Sequence, residues 1–528
     1  MKINKYLIIV IFLSVAAYSN TLFNGFIWDD NGLVKNDKFV AEAGITDPFT
    51  PSYYRDIPAE ERGRLRPLRL FTFVVDRMLY GDSAWGYHLT NMLLHTVNVI
   101  LMYLVAARLF SDKRSALLAA ALFAVHPVHV DSIAWIKNRS DVLCGAFFLL
   151  ALLAFFKMDG VKRIAAAALC FAGAFLSKET AIVMPVILAL AAFVFLPEKT
   201  ARKALLWTSV FMVFAAAVYF AKEMLWKKEI TAQTNILLDA NVQVRIILYT
   251  LSAYFSALIF PVVYSVERDI MLNLTALESV NWAFIIFIVI GLWLSVGYLR
   301  DRYALKKSDS DFRNAFFGYW FMMILVLPVS NVIFLESRPI AEQRLYIPSM
   351  GLCFMAGDAL SSLIGSFKGS VSTAVSAGAW VLIAAFALVT VSRTYAWRDE
   401  FTFWTAAVKA NPTHYRANFN LGAEYQKTGD FENAVKHYEI SSRDCDLPEV
   451  YYGLGYGYDR LGDYGKSLKN YERALKLSDS PKADLYNNMG IVCEKMKNKR
   501  TAGEYYRKAL EVSPEYEPAR KNLEQLWK

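Results

Sequence analysis

Two adjacent carboxylates, Asp29 and Asp30, stand in Phe26-Ile27-Trp28-Asp29-Asp30, just after the first apolar run. Neighbouring acids repel one another and cost desolvation energy in hydrocarbon, so such a pair belongs at the water boundary of a membrane bundle. There it can take a proton from an acceptor. The competing reading is a solvated loop start, with Asp30-Asn31-Gly32 making a turn. Further polar groups recur between later apolar runs: His126-Pro127-Val128-His129-Val130-Asp131, then Lys137, Arg139 and Asp141, then Lys178-Glu179, then Glu342 and Arg344. His126, His129 and Asp131 have metal-ligand side chains, but Pro127 breaks the helix between them and no further ligand can be placed. Asp131 positioned by its imidazoles is the favoured reading, a divalent metal held by these residues is the lesser alternative, and no other cofactor is indicated. Lys178-Glu179 alone would read as a surface ion pair of little worth to stability. Its recurrence on the face that carries Asp29, Asp131 and Arg139 argues for a shared site.

The elements that must carry these groups are membrane helices. The chain has 528 residues, 55% of them hydrophobic and 15% aromatic, with a mean hydropathy of +0.29, which fits a polytopic membrane protein and not an ordinary soluble one. Its net charge of +9 lies in short basic clusters between apolar runs, the distribution of cytoplasmic loops, and no nucleic-acid surface is expected. Lys2 and Lys5 precede the run from Tyr6 to Ala17, read as a retained anchor that leaves Asp29 on the far side. Arg62, Arg64, Arg66 and Arg69 follow, and Pro67 to Tyr80, carrying Arg69, Asp76 and Arg77, shows helical spacing suited to the membrane interface, as a lipid-headgroup anchor or a grip on a phosphate. His88, Asn91, His95 and Asn98 share one face of the second span, where bonding between helices is the expected role. About twelve apolar runs are present in all. Strict alternation would put Arg300, Arg302, Lys306, Lys307 and Arg313 on the wrong side, so one run, Ile246 to Tyr264, is expected to be re-entrant.

Beyond Trp397 the chain turns polar and periodic. Leu421-Gly422, Leu454-Gly455 and Met489-Gly490 recur at intervals of about 34, followed by Ala434/Tyr438, Ser467/Tyr471 and Ala502/Tyr506. Trp404, Ala407 and Pro412 form a half-repeat ahead of them. This is the tetratricopeptide pattern, an array suited to extended peptides or partner proteins. The fold class expected is all-α: a polytopic helical bundle of about 11 to 12 spans over residues 1–396, then a tetratricopeptide superhelix over residues 397–528.

Trp28-Asp29-Asp30, Arg66-Pro67-Leu68, Tyr87-His88-Leu89, Leu94-His95, His126-Pro127-Val128-His129, Arg139 to Leu143, Lys178-Glu179, Pro328 to Asn331 and Glu342 to Gly351 stand in an order that resembles one family. It is the transmembrane and tetratricopeptide-repeat-containing (TMTC-type) proteins and their bacterial relatives, glycosyltransferases of the GT-C class. One departure is Asp131, where the animal members carry Glu; another is the short repeat array. The resemblance implies transfer of a sugar, mannose in the animal members, from a polyprenyl-phosphate carrier to a hydroxyl acceptor on the outer face. Asp29 would be the general base, with Asp30 or Asp131 orienting the acceptor or stabilising positive charge. Arg139, Lys178 and Arg344 would meet the phosphate, Glu179 and Glu342 would hold those cations, and His126 and His129 would support Asp131. The partners implied are the lipid-linked sugar, membrane lipid and a protein acceptor presented by the repeats. A bacterial inner membrane with periplasmic repeats is the expected location, an endoplasmic reticulum membrane with lumenal repeats the alternative. Competing functions are a membrane scaffold acting through its repeats, and a lipid-linked sugar transporter, which would place ionisable groups at the bilayer midplane.

Overall fold

A computed structural model describes residues 5–50, 66–110, 112–225, 240–261, 280–305, 312–332, 340–480 and 482–527. Arg62, Arg64, Lys306 and Lys307 lie outside them. Every element described is helical, and the chain divides into two compact units, Met1–Asp399 and Glu400–Lys528.

In the first unit, seven of the described helices are long and apolar enough to cross a membrane. They are Lys5–Phe23, Ala84–Leu109, Ile136–Lys157, Gly160–Ser177, Ala240–Ile259, Trp282–Ala304 and Gly369–Tyr395. An eighth is obtained if Lys113–Val125 and Pro127–Ile133, bent by 46°, count as one span. The bend falls at Pro127, which has no N–H to continue the helical ladder. Two apolar runs fold as shorter helices, Glu179–Phe195 and Arg313–Val329, which accounts for part of the difference from eleven or twelve spans. The run from Ile246 is not re-entrant in form. Its residues 246–259 belong to the uninterrupted 20-residue helix Ala240–Ile259, in which Ser252 and Ser256 bond to Asn281 without breaking the ladder, and residues 262–264 lie outside the described residues.

The first apolar run is built into this bundle: Ser14 Oγ lies 3.0 Å from Thr96 Oγ1, and the buried Tyr18 hydroxyl donates to His126 O at 3.4 Å. Elsewhere small residues let helices approach closely, as in membrane bundles generally. A Cβ on Gly351 would fall 2.4 Å from Gly318 O and 2.7 Å from Met322 N, backbone atoms that cannot swing aside.

In the second unit, helices Tyr415–Thr428, Pro448–Leu461 and Ala483–Lys495 alternate with Phe431–Asp444, Tyr464–Leu477 and Lys499–Val512. The repeat signature has a steric cause here. Each Tyr of a second helix lies on the Gly of the first, so a Cβ at Gly455 would sit 2.5 Å from the Tyr471 ring and one at Gly490 2.5 Å from Tyr506. Asp430, Asp463 and Asn498 cap the second helices by accepting a backbone N–H three residues on.

Gly351→Leu is expected to destabilise the bundle by about 1–3 kcal/mol through overpacking, whereas Gly365→Leu, with open space around it, should leave stability unchanged. Thermal melting of the two purified variants side by side checks this.

Candidate active site

The site is built on the first turn of helix Arg139–Lys157 and the residues just before it. Lys137 reaches both acids of the first loop: its ammonium pairs with Asp29 Oδ2, and its backbone N–H donates to Asp30 Oδ1 at 2.8 Å. Arg139 pairs with Asp76 at 2.5 Å, donates to Asn91 Oδ1 at 2.6 Å and to Tyr87 O at 3.0 Å, and lies over the Phe73 ring. Ser140 Oγ accepts from Arg66 at 3.1 Å, and Asp141 pairs with Lys178. Asp141 gains further from its place in the first helical turn, where backbone N–H groups and the helix dipole favour negative charge.

The acidic loop is held in an unusual shape. Trp28 has φ 52°, a left-handed conformation that a bulky side chain adopts only when its surroundings impose it. Its indole stacks on Trp135 with centroids 4.7 Å apart and planes within 4°, and Trp135 packs in turn on Trp397. Gly25 is fixed from two sides, its N–H donating to Arg398 O at 2.9 Å and its carbonyl accepting from His88 Nε2 at 3.3 Å. A single π turn, Asn31–Lys35, follows the acids directly.

The two acids are electrostatically unlike. Asp29 keeps 34% of its side chain exposed beside Lys137. Asp30 is fully buried, and its Oδ2 has no hydrogen-bond partner among the described residues. Burial pushes the Asp30 carboxyl up to about 8, an effect partly offset by the Lys137 N–H. Burial thus favours the neutral form of Asp30 and eases the repulsion foreseen between adjacent carboxylates.

The other expected site residues are placed differently from the sequence reading. Asp131 is buried, not displayed on a loop, and its carbonyl accepts from Asn138 Nδ2 at 2.9 Å. That bond, with burial of Asn138, also closes the sequon Asn138-Arg139-Ser140 inside the protein. Arg139 is fully buried on Asp76, so it anchors an internal ion pair and is no open phosphate fork. Lys178 and Glu179 do not pair with each other. Lys178 goes to Asp141, while Glu179 receives Arg66 through Nη2 at 3.1 Å and Nε at 3.5 Å. Glu342 pairs with Arg393 at 2.8 Å, a cation outside the three expected from sequence. Arg344, half-buried, donates to the Tyr254 hydroxyl at 3.4 Å. His126 donates from Nε2 to Leu258 O at 3.1 Å and His129 lies 2.7 Å from Ser349 Oγ, so the two imidazoles brace helices apart from Asp131.

The shared face of the second span does bond between elements. Asn91 donates to Ile133 O, Asn98 to Val142 O and the Tyr346 hydroxyl, and His95 Nδ1 accepts from Tyr346 at 2.8 Å. Arg393 was absent from the sequence reading, and Lys137, Arg66 and Asp141 appeared in it without a part in the reaction. Asp76 appeared there only as one charge of an interfacial helix. The density of charge at residues 137–141, beside an apolar run too long to leave them in bulk water, was the available signal.

These features define a multi-pass membrane protein with a tetratricopeptide tail and a polar site at one end of its bundle. Residues 68–226 match the family described as dolichyl-phosphate-mannose-protein mannosyltransferase, and residues 415–439 and 446–515 match tetratricopeptide repeats. The chain is 26% identical over 471 residues to the protein O-mannosyl-transferase TMTC3 of Mus musculus, with 82% of this chain and 50% of the mouse protein covered. It is 26% identical over 455 residues to the protein O-mannosyl-transferase F38B6.6 of Caenorhabditis elegans, covering 82% and 61%. The chain is thus a relative of the TMTC-type proteins. It spans about half the length of the TMTC3 proteins it matches.

Breaking the buried pair should be costly: Arg139→Met or Asp76→Leu alone is expected to lose about 3–5 kcal/mol, with part recovered in the double variant. A double-mutant cycle of unfolding measurements in detergent checks the coupling. Asp30 yields a pH dependence. The folded state holds its proton up to about pH 8, while the unfolded chain releases it near the ordinary 3.8, so stability is greatest below that value and falls as pH rises toward 8. Asp30→Asn is expected to flatten the fall, read as melting temperature across that range.

Proposed function

We propose that this protein transfers a sugar, most simply mannose, from a polyprenyl-phosphate carrier to a hydroxyl of a protein acceptor at the outer membrane face. The single observation that carries the reading is the corner at Lys137, where one part-exposed acid, paired with the ammonium, and one buried acid, bonded to the backbone N–H, share a single lysine. Two carboxyls placed in unlike environments are a recurrent design of acid–base sites. The matches to mannosyltransferases over 82% of the chain support the choice of group transferred.

In this reading Asp29 is the general base. It removes the proton of the acceptor hydroxyl as the oxygen attacks the sugar's anomeric carbon, while the bond from that carbon to the carrier phosphate breaks on the opposite face. The products are the inverted glycoside, protonated Asp29 and the free polyprenyl phosphate. Of the three acids expected from sequence, Asp29 is the one with access to an acceptor, since Asp30 and Asp131 are buried. Asp30, whose neutral form burial favours, eases the repulsion at Asp29, and Asp131 positions the start of helix Arg139–Lys157 through Asn138.

The departing phosphate needs cations that retain some exposure. Arg344 and Lys137 have it, and Arg66 is 22% exposed on its Glu179 clamp. Arg139 and Lys178 act behind them as positioning groups. The carrier's lipid would lie along the bundle and the repeats would present the acceptor chain, with a bacterial inner membrane and periplasmic repeats as the setting.

Asp29→Asn is expected to lower transfer from a mannosyl-phosphate polyprenol by about 100-fold or more, the usual weight of a general base, with protein level unchanged. Membranes carrying either form, supplied with radiolabelled donor, provide the assay; wild-type rates in the variant would remove Asp29 as the base.

A further inference from the structure

Helix Arg139–Lys157 begins at the site, and helix Gly160–Ser177 returns to it at Lys178. The turn between them therefore lies a helix length away, about 28 Å for 19 residues, close to the thickness of a hydrocarbon core. At that far end a cavity of about 200 Å³ opens among Phe155, Asp159, Arg163, Lys203, Trp207 and Phe211. The reaction proposed above makes no use of it.

The cavity has a charged mouth and an apolar wall. The Arg163 side chain is held in place by three contacts: Nε donates to Met158 O at 2.8 Å, Nη2 to Asp159 Oδ1 at 2.7 Å, and the guanidinium lies 4.9 Å from the Phe155 ring centre. Asp159 is 94% exposed, so its grip on Arg163 is a weak, water-facing one that a second anion can share. Lys203 is exposed, and its ammonium has no ion pair or hydrogen bond among the described residues. Lys157, Lys162, Lys199 and Arg202 stand nearby in sequence, making six basic side chains against the two acids Asp159 and Glu198. Below Lys203, helix Glu198–Leu225 exposes Leu206 (66%), Trp207 (54%), Val210 (56%) and Val213 (71%), an apolar strip that leads away from the cations along the helix. Soluble ligands have no use for such a strip, whereas a lipid uses both ends at once.

We propose that this cavity binds an anionic phospholipid of the leaflet opposite the site, its headgroup phosphate between Arg163 and Lys203 and an acyl chain along Trp207 and Phe211. Basic pockets between membrane helices take lipid headgroups for this reason: the phosphate finds fixed cations while its chains stay in hydrocarbon. The aromatic wall at the level of the cations matches the depth at which indole rings prefer to sit. The inference is independent of sugar transfer and needs only that the bundle spans a bilayer.

The test is native mass spectrometry of the full-length protein in detergent, titrated with phosphatidylglycerol or phosphatidylcholine of the same acyl chains. Phosphatidylglycerol should be retained preferentially, and the preference should fall about fivefold for each cation removed in Lys203→Gln and Arg163→Gln, the weight of one basic side chain near an anionic membrane surface. Lys203 is exposed, so its substitution leaves the fold intact and gives a reading even where Arg163→Gln does not. Ala204→Phe, which fills the cavity and keeps both cations, should lose the bound lipid as well. Equal retention of the two lipids, or a preference unchanged in Lys203→Gln and Ala204→Phe, overturns the proposal.

Discussion

The architecture of the site depends on the buried ion pair between Arg139 and Asp76. A guanidinium with no exposed surface is tolerable only if its charge is met, and Asp76 meets it while Asn91 and Tyr87 accept from Nε and Nη2, the three partners coming from two separate helices. The pair fixes the start of helix Arg139–Lys157 against helices Pro67–Tyr80 and Ala84–Leu109. Around it, Lys137, Ser140 and Asp141 each capture a different segment. Side chains one residue apart on a helix diverge by about 100°, so one turn can gather several loops that lie far apart in the chain.

The acidic pair follows from this placement. Lys137 is delivered to the first loop as a cation for one carboxylate and an N–H donor for its neighbour. Burial then gives the two unlike surroundings, which adjacency in sequence could not do. The strained Trp28, stacked on Trp135, sets which acid turns inward. The same loop carries the strain, the exposed carboxylate and the buried one, the combination expected where structure is held for chemistry and not for stability alone.

The bundle also has two chemically different ends. At one, ion pairs are buried or half-buried and each cation expected at the site has a protein partner. At the other, around Lys157 and Lys203, cations stand largely in water beside an apolar cavity. A membrane protein anchored by anionic lipid at one face and open to a lipid-linked substrate at the other would keep its register in the bilayer while its outer loops exchange partners.

The sequence by itself determined the elements. Most of the apolar runs, the break at Pro127, the polar face His88-Asn91-His95-Asn98, the helix from Pro67 to Tyr80 and the 34-residue repeat follow from local periodicity and are found in the fold, seven of the runs as helices long enough to cross a membrane among the described residues. The chemistry of the Leu-Gly and Tyr positions was readable because the close approach that requires glycine recurs in every repeat. Pairing was decided only by the tertiary structure. Lys178 and Glu179 look like partners because they are neighbours, yet a 3-10 turn at the helix end sends one to Asp141 and the other to Arg66. Arg139 looks like a phosphate ligand until Asp76, an unremarked charge 63 positions earlier, is folded against it. Spacing along one helix or loop reports which residues share a face, but the partner of a buried charge is chosen by which helices pack together, and that choice is made by the whole bundle.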